Sequence, residues 1–331
     1  MKPALISALL GHSGFRSLFG RGFRWSGVLV LNYHRVGDGS SSVFDRGLWS
    51  SSVDAFADQV RFCKAHFDVI APGDLPHVLA RRRGRYILIT FDDGYRDNYE
   101  VAFPILRSER AAATFFVATG FIDAPRVPWW DEIAWMVRTS KRGAAELPGR
   151  LPAPVRFDDP DREASVRTLL RTYKAMPAEA TDAYLNDIAD ATGSGRYDPQ
   201  AGGHWWMTWD MLREMQTGGM TIGGHTVSHP VLARATHEIR RNEIEGCSHR
   251  LAKELGEPMR YFSYPVGGRG AFDSVTRECL KEVGVQYAFS NYAGYRRFGD
   301  WDDYDIRRVP VEKHLTTDWF RSIVVLPRLF A

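Results

Sequence analysis

Two adjacent carboxylates and a glycine end one of the apolar runs of this sequence. The run at residues 89–91 leads directly into Asp92, Asp93 and Gly94. Neighbouring side chains on a strand point to opposite sides, so two adjacent carboxylates can serve two different tasks. A glycine after them lets the backbone turn sharply. The alternative interpretation is a solvated Asp-Asp-Gly turn, which is common in proteins, so this motif alone does not establish a functional site.

A pair of histidines four residues apart follows a second apolar run. The segment 223–229 reads Gly-Gly-His-Thr-Val-Ser-His and contains His225 and His229. Residues four apart lie on one face of a helical turn, and two imidazoles placed in this way can chelate one metal ion. Pro230 directly afterwards indicates that the turn is short. Because the chain has ten histidines, a chance pair with this spacing is the competing explanation.

The two motifs together predict a hydrolytic metal centre. One carboxylate and two imidazoles make three protein ligands, which leaves coordination positions for water and substrate, as in catalytic zinc sites. A divalent ion can lower the pKa of a bound water from 15.7 to about 7. The second carboxylate, one residue away, is then placed to accept the proton of that water. We therefore expect a divalent metal cofactor, with zinc as the expected ion.

These motifs resemble those of the polysaccharide deacetylases of carbohydrate esterase family four. The Thr-Phe-Asp-Asp-Gly hallmark of that family stands at 90–94, and its His-Ser/Thr-x-x-His motif stands at 225–229. The resemblance covers roughly residues 28–120 and 207–311. It implies metal-dependent hydrolysis of the acetyl group of an N-acetylated sugar in a polysaccharide or glycan precursor. The fold it implies is a distorted (β/α) barrel with an incomplete strand set.

The same resemblance assigns roles to four side chains. It implies that Asp92 is the general base, and the metal ligands that it implies are Asp93, His225 and His229. All four residues are present, which disfavours a non-catalytic carbohydrate-binding relative that has lost its chemistry.

A third family segment is present in altered form at residues 260–267, which read Arg-Tyr-Phe-Ser-Tyr-Pro-Val-Gly. The resemblance places Ser263 where the family has an arginine that orients the base. It places Val266 where a tyrosine contributes its backbone N–H to the oxyanion, and a backbone donor does not depend on the side chain. Arg260 or Arg308 could take the role of the missing arginine, and we favour Arg308. The competing interpretation for each arginine is a surface ion pair.

A histidine at the end of the first apolar run is the candidate general acid. Residues 29–36 read Leu-Val-Leu-Asn-Tyr-His-Arg-Val, which places His34 directly after a strand signal. Family members that act on poly-N-acetylglucosamine look similar here and take their acid from this position, whereas other members use a late Leu-x-x-His motif. This sequence has no clean copy of the late motif, although His314 follows the last strand signal. We favour His34 over His314 and over a purely structural histidine.

Alternating strand and helix signals must position these residues. Short apolar runs rich in β-branched or aromatic residues predict strands, and these runs lie at 28–32, 86–91, 113–117, 220–223, 261–264 and 287–290. Helical periodicity predicts helices at 53–67 and 238–255. This alternation predicts an α/β fold with parallel strands and crossover helices, in which ligands bind at the carboxyl ends of the strands. The pattern fits both a barrel and an open sheet, and only the resemblance favours the barrel.

The chain from about residue 125 to 206 interrupts this alternation. It is rich in Pro, Gly, Asp and Arg, with helical patterns near 131–139 and 163–174. A structureless loop of this length is improbable in a compact domain, so we predict a mostly helical insertion that covers one end of the barrel. Residues 1–27 are predicted to form a basic and apolar N-terminal segment before a catalytic domain at 28–331. Of the tryptophans near the insertion, we expect one or two to face the substrate cleft and the rest to be core.

The N-terminal segment and the cysteines bear on location. Before Asp38 the sequence has no acidic residue, and apolar side chains lie among its basic ones. It lacks a clear cleavage site, and no stretch of the sequence approaches the roughly 20 apolar residues needed to span a bilayer. We expect a helix packed on the domain, with a weak interfacial anchor as the alternative. Three widely spaced cysteines indicate reduced, buried thiols. We therefore expect a cytoplasmic protein, with peripheral attachment to the inner membrane as the alternative.

Composition argues against one class of partner and leaves alternatives for the substrate. A formal charge of +3 over 331 residues and the lack of a long basic run argue against nucleic-acid binding. The expected partner is an N-acetylated oligo- or polysaccharide or a glycan precursor. One alternative is a deformylase or amidase that uses the same site on a nucleotide- or lipid-linked sugar. The other is a non-catalytic carbohydrate-binding relative. The sequence does not indicate an oligomeric state.

Overall fold

Short runs of buried residues form the strands of a closed parallel barrel. The computed structural model describes residues 25–198 and 204–330 of the chain. The barrel strands within these residues are β1 (Gly27–Tyr33), β2 (Arg85–Phe91), β3 (Thr114–Val117), β4 (Thr221–Gly224), β5 (Tyr261–Ser263), β6 (Tyr287–Ser290) and β7 (Ile306–Pro310). Each strand pairs in parallel with the next in chain order, and β7 pairs with β1 to close the ring.

The strand set is one short of the eight of a complete (β/α) barrel. The fold class predicted from the sequence and its resemblance, a distorted barrel with an incomplete strand set, is therefore confirmed. The six strands predicted from the apolar runs are all present, within one residue at nearly every end. Closure needs β1 to pair with both β2 and β7, and these contacts join residues far apart in the chain.

Helices connect the strands and pack around the barrel. In chain order they are α1 (Val53–His66), α2 (Leu75–Arg81), α3 (Phe103–Ser108), α4 (Thr119–Asp123), α5 (Trp129–Thr139), α6 (Glu163–Ala175), α7 (Thr181–Thr192), α8 (Trp209–Thr217), α9 (His237–Leu255), α10 (Ser274–Glu282), α11 (Thr317–Val325) and α12 (Pro327–Phe330). Short strand pairs join Arg35–Val36 to Trp49–Ser51 and Ala144–Ala145 to Val155–Arg156, and Asp68–Val69 pairs with β2. Single helical turns lie at Arg46–Leu48, Pro72–Asp74, Asn98–Ala102, Ala178–Ala180 and Leu232–Arg234.

The interior of the barrel changes from apolar to polar along the strands. Side chains alternate on a strand, so Val28, Val30 and Asn32 of β1 share one face. Val28 and Val30 belong to a buried apolar cluster. Asn32, at the carboxyl end of the same strand, lies opposite Thr90 in the strand register and is fully buried. The polar end of the interior is therefore the carboxyl end of the strands, where ligands bind in such folds.

The chain between β3 and β4 has a hydrophobic core of its own. The helices predicted at 131–139 and 163–174 are present as α5 and α6, and their apolar faces pack together with that of α7. The helix α7 and the short strand pair were not predicted, because their sequences carry weak periodicity. This segment contacts the barrel near the carboxyl ends of the strands, where Trp130 Nε1 donates a 2.8 Å hydrogen bond to Tyr95 Oη.

The N-terminal segment lies largely outside the described residues, which begin at Trp25. The prediction of a packed helix, or of an interfacial anchor, therefore falls on residues that the structure does not describe. Trp25 itself is buried and donates a hydrogen bond from Nε1 to the Val324 carbonyl oxygen at 3.1 Å. Among the described residues, no helix combines the length and the apolar character needed to cross a membrane. The predicted burial of the thiols is confirmed for all three cysteines.

Candidate metal centre and catalytic cleft

A sharp turn after β2 presents the two adjacent carboxylates. Asp93 has a φ of 75° and Gly94 a φ of 93°, both in the left-handed region. A Cβ atom at position 94 would lie 3.2 Å from Val117 Cγ1, so glycine also meets a spatial need there. Asp92 and Asp93 are each 2% exposed. The sequence analysis attributed the different directions of the two side chains to alternation along a strand, and this cause is wrong. The strand ends at Phe91, so the turn that follows it sets the directions of the two carboxylates.

The two histidines converge through an irregular loop. The helical turn predicted from their spacing is wrong, since residues 225–230 are not helical, and Thr226 and His229 have φ values of 68° and 62°. The backbone N–H of His229 donates to Thr226 Oγ1 at 3.0 Å, which closes the loop on itself. The loop therefore brings the imidazoles together by a route that the i, i+4 spacing does not describe.

A carboxylate of helix α9 holds this loop. Glu243 accepts hydrogen bonds from the backbone N–H groups of Val227 and Ser228, each at 2.8 Å, and from the Ser228 hydroxyl. Three donors on one carboxylate fix the backbone between the two histidines. The sequence analysis missed Glu243, because nothing local to it signals a contact with a loop 15 residues earlier.

The structure brings Asp93, His225 and His229 together as a buried cluster. Asp93 Oδ1 lies 3.5 Å from Nε2 of each histidine, and the three potential ligand atoms are all within 4.8 Å of one another. The ring Nδ1 of His225 lies 2.7 Å from the carbonyl oxygen of Ser263. A carbonyl oxygen can only accept, so Nδ1 carries the proton and Nε2 is directed toward Asp93. Two nitrogens and one carboxylate oxygen suit a divalent ion of the zinc type.

The protonation states of His229 and Asp93 are those that bind a metal ion, whereas His225 must give up a proton to do so. Burial and the neighbouring His225 imidazole lower the pKa of His229 to about 3, which keeps this ring neutral. Burial opposes charge on His225, but the carboxylates of Asp92 and Asp93 raise its pKa above the ordinary value. Burial opposes charge on Asp93 too, and the two imidazoles lower its pKa. Neutral imidazole and ionised carboxylate are the forms that bind metals.

Arg308 lies on β7 and reaches Asp92 past β1, the strand between β7 and β2. Its guanidinium donates to Asp92 Oδ1 at 2.8 Å and to Oδ2 at 2.6 Å, a bidentate pair that is fully buried. The same guanidinium donates to Asn32 Oδ1 at 2.7 Å and to Ser263 Oγ at 2.8 Å. Burial alone would raise the pKa of Asp92, but the charge and hydrogen bonds of Arg308 outweigh it and hold the pKa well below its usual range. Arg260, the other candidate, is exposed and does not line the cleft.

The other predicted site residues border the same cleft. His34 and His314 both line it. The backbone of His34 is fixed on both sides, since its N–H donates to Ser50 Oγ at 2.9 Å and its carbonyl oxygen accepts from Asn98 Nδ2 at 2.7 Å. By contrast, the His314 side chain is 75% exposed beside Glu312. The structure therefore places His34 among fixed elements and His314 in a solvated loop.

Val266 lies in a strained backbone conformation at the edge of the cleft. Its φ of 63° is unusual for a β-branched residue, and the next residue, Gly267, has a φ of 62°. Gly267 is required sterically as well, because a Cβ there would lie 2.6 Å from the backbone nitrogen of Asn291. Such strain is typical of functional loops. The role of the Val266 N–H remains a prediction.

The cleft has a volume of about 740 Å³. The ends of the barrel strands form its floor, with Asp92, Asp93 and the two candidate ligand histidines, and residues of α5 and α6 form part of its wall. Trp129 and Trp130 line it, in keeping with the expectation that one or two of the tryptophans face the substrate. A sugar ring can stack on such flat apolar surfaces.

A buried acid connects α5 to the barrel behind the cleft. Asp131 accepts hydrogen bonds from the Tyr95 hydroxyl at 2.6 Å and from the Asp45 backbone N–H at 2.8 Å. Burial raises the pKa of Asp131 to about 7, against the opposing effects of the Tyr95 hydrogen bond and the Arg35 charge. Sequence reasoning missed this residue, because its partners are distant in the chain.

The chain matches the family model described as polysaccharide deacetylase at residues 80–141 and 154–288, which make up more than half of its length. The comparison with curated proteins gives no match. Solved structures are similar in fold. The deacetylase PplD of Streptococcus pyogenes, in complex with acetate, has a TM-score of 0.58 at 16% identity over 88% of this chain and 94% of that one.

Two further solved structures have the same fold. IcaB of Ammonifex degensii has a TM-score of 0.56 at 20% identity, over 92% of this chain and 97% of that one. The de-N-acetylase from Aggregatibacter actinomycetemcomitans has a TM-score of 0.57 at 15% identity, over 92% and 99%. At these identities the structural likeness carries the fold alone.

Proposed function

The chain belongs to the polysaccharide deacetylase family, and from that premise we propose that it hydrolyses the N-acetyl group of an N-acetylated sugar in a metal-dependent reaction. The observation that carries the proposal is the buried cluster of Asp93, His225 and His229 directly beside Asp92. Asp92 is paired with Arg308, whereas Asp93 faces the two imidazoles, and burying a charged group is costly unless it is paired or binds a metal.

The cluster defines what a cofactor would do. Asp93, His225 and His229 would hold a divalent ion, which when bound acidifies water and polarises the amide carbonyl of the substrate. Zinc is the ion that we propose, because two imidazoles and one carboxylate form a typical catalytic zinc set.

Asp92 is the proposed general base. Its pKa is held low by Arg308, so the carboxylate is ionised throughout the neutral range and able to accept a proton from the attacking water. The bidentate contact from Arg308 fixes the orientation of this carboxylate, and Asn32 Nδ2 contributes a further hydrogen bond at 3.2 Å. Arg308 is therefore a positioning residue in this proposal.

His34 is the proposed general acid. Attack of water on the carbonyl carbon forms a new C–O bond, and the C–N bond then breaks with release of acetate. The amine nitrogen must gain a proton to leave. His34 lines the cleft directly after β1, the strand that pairs with the one leading to Asp92. The backbone N–H of Val266 is the proposed donor to the oxyanion that develops during attack.

An acetate-release assay tests the proposal. The full chain would be incubated with chito-oligosaccharides, peptidoglycan fragments and lipid-linked N-acetyl sugars, each with added zinc and with a chelator. We expect acetate from at least one substrate class, loss of release with the chelator, and recovery when metal is restored. Release that persists in chelator would overturn metal dependence. Formate release from N-formyl sugars, without acetate release from the N-acetyl ones, would instead favour a deformylase.

A further inference from the structure

One face of helix α6 forms a wall of the cleft. Glu163, Arg167, Leu170 and Lys174 all line it, with spacings of four, three and four residues. This spacing places all four on a single stripe of an α-helix. The helix belongs to the segment between β3 and β4, outside the residues that carry the family motifs. The segment therefore supplies the cleft with charged side chains of its own.

Most charged groups at the cleft are paired within the protein. Arg46 forms an ion pair with Asp161 at 2.7 Å, and Lys313 forms one with Asp38 at 2.6 Å. Asp92 is held by Arg308, as described above.

Two glutamates that line the cleft, Glu312 and Glu163, are paired as well. Glu312 lies 3.3 Å from the His314 ring, and Glu163 accepts a hydrogen bond from Arg138 at 2.5 Å. Arg138 lies on α5, so this pair ties α5 to α6. These groups are accordingly less available to bind a substrate.

Two cations on the stripe stand apart from this pattern. Among residues 25–198 and 204–330, Arg167 has only a 4.0 Å ion-pair contact, with Glu163, whose other oxygen already bonds to Arg138. Lys174 forms no ion pair within 4 Å in the part of the chain that the structure describes, although Asp45 and Asp93 attract its charge from farther away. Lys174 is exposed at the cleft, and partial desolvation of its ammonium group lowers its pKa.

Lys174 is connected to the proposed metal centre through Trp129. Its Nζ is 5.9 Å from the centroid of the Trp129 ring, and Trp129 Nε1 donates to the carbonyl oxygen of the metal-ligand candidate His229 at 3.3 Å. A divalent ion at that centre and the ammonium group of Lys174 would repel each other. An anion between them would relieve it.

We propose that the substrate carries an anionic group, a phosphate or a carboxylate, close to its N-acetylated sugar, and that Lys174 and Arg167 bind this group. Ammonium and guanidinium groups form charge-assisted hydrogen bonds with both anions. A neutral polysaccharide would leave their charges without a partner. The inference rests on the proposed deacetylase function and narrows its substrate to an acidic or phosphorylated N-acetyl sugar.

Three substrates separate the possibilities. Chitotriose is neutral, UDP-N-acetylglucosamine carries a diphosphate, and the disaccharide of N-acetylglucosamine and N-acetylmuramic acid carries a carboxylate. We expect kcat/KM of the zinc-loaded full chain to be higher for one of the two anionic substrates than for chitotriose. The anionic substrate that is preferred identifies the source of the charge. The preference is the ratio of kcat/KM for that anionic substrate to kcat/KM for chitotriose. In Lys174→Gln this ratio should fall about tenfold or more, the usual effect of losing a charge-assisted hydrogen bond.

Matched variants separate recognition from a general effect of charge. Lys174→Arg keeps the cation and should retain the preference. Arg171 lies on the same helix but not on the cleft, so Arg171→Gln removes an equal charge and should leave the preference unchanged. An unaltered preference in Lys174→Gln, or an equal fall in Arg171→Gln, would overturn the proposal.

Failure of the proposed deacetylase function can be distinguished from failure of the proposed anion binding. If the wild-type chain releases no acetate from any of the three substrates, the deacetylase assignment fails for them. Anion recognition is then measured by titration calorimetry with UDP-N-acetylglucosamine and with the carboxylated disaccharide. The proposal predicts that Lys174→Gln weakens binding of one of them about tenfold relative to both wild type and Arg171→Gln. Equal dissociation constants in all three proteins, or no binding at all, would refute it.

Discussion

Replacing Arg308 with methionine would leave Asp92 as a buried carboxylate without its cation. The wild-type pair is bidentate, with donor–acceptor distances of 2.8 and 2.6 Å, and Arg308 is 0% exposed. Removing one partner of a fully buried pair typically lowers the free energy of unfolding by about 3–5 kcal/mol. We expect Arg308→Met to fall in the upper part of this range, because the guanidinium also donates to Asn32, Ser263 and the Ser290 carbonyl oxygen.

The pH dependence of stability should also change sign. In the wild type, the pKa of Asp92 is lower when folded than when unfolded, so its contribution is present above the ordinary carboxyl pKa and is lost as pH falls through the folded pKa. Without Arg308, burial raises the folded pKa above the ordinary value. The variant should then lose stability as pH rises from about 4 through this raised pKa.

Urea unfolding at a series of pH values, followed by tryptophan fluorescence, measures both effects. Arg308→Lys keeps one charge but not the planar fork, and should lose about 1–3 kcal/mol, which provides a folded variant if Arg308→Met does not fold. The double variant Asp92→Asn with Arg308→Met should recover part of the loss, because no unpaired charge remains. An Arg308→Met protein within about 1 kcal/mol of wild type, a small surface-type effect, and with unchanged pH dependence would refute the reasoning.

Three further outcomes follow from the site. His34→Ala should lower kcat at least about 100-fold with metal content intact, whereas His314→Ala should cost little; the reverse pattern in steady-state kinetics would move the acid to His314. Glu243→Gln should weaken metal affinity about 10–100-fold, because the loop that carries the two histidines loses an acceptor for its backbone N–H groups. Competition with a chelating dye measures this affinity, and an unchanged value would show that the loop keeps its conformation without Glu243. The contribution of Asp131 to stability should fall as pH rises from about 4 to 7, because the pKa of Asp131 is higher when folded, about 7, than when unfolded. Asp131→Asn should remove up to about 4 kcal/mol of this dependence, and an identical pH profile in urea unfolding would contradict it.

Local pattern was sufficient for the barrel strands and for the candidate ligands. A strand buried on both sides is a short continuous apolar run, and such runs are visible in the sequence at β1 and β2. The ring closure was not visible, because an open sheet and a barrel use the same strands and differ only in whether β1 pairs with β7. That pairing depends on the whole chain.

The errors in the site have local causes that the sequence hides. The histidine spacing is compatible with a helix, but Glu243 offers three acceptor contacts to the loop and stabilises an irregular path instead. Arg308 lies 216 residues from Asp92 in the chain, so only the resemblance suggested that an arginine was needed there. The sequence predicted the helix α6. Which of its side chains face the cleft could be assigned only from the packing of the folded chain.

The most direct test of the account compares two neighbouring variants, Asp92→Asn and Asp93→Asn, for bound metal and for acetate release in the same preparation. The account predicts that Asp92→Asn holds one equivalent of metal, as the wild type should, and loses on the order of 10²–10⁴ in rate. Asp93→Asn should instead lose the metal, because it removes one of three ligands. A metal-free Asp92→Asn protein beside a fully loaded Asp93→Asn protein would contradict the assignment of base and ligand.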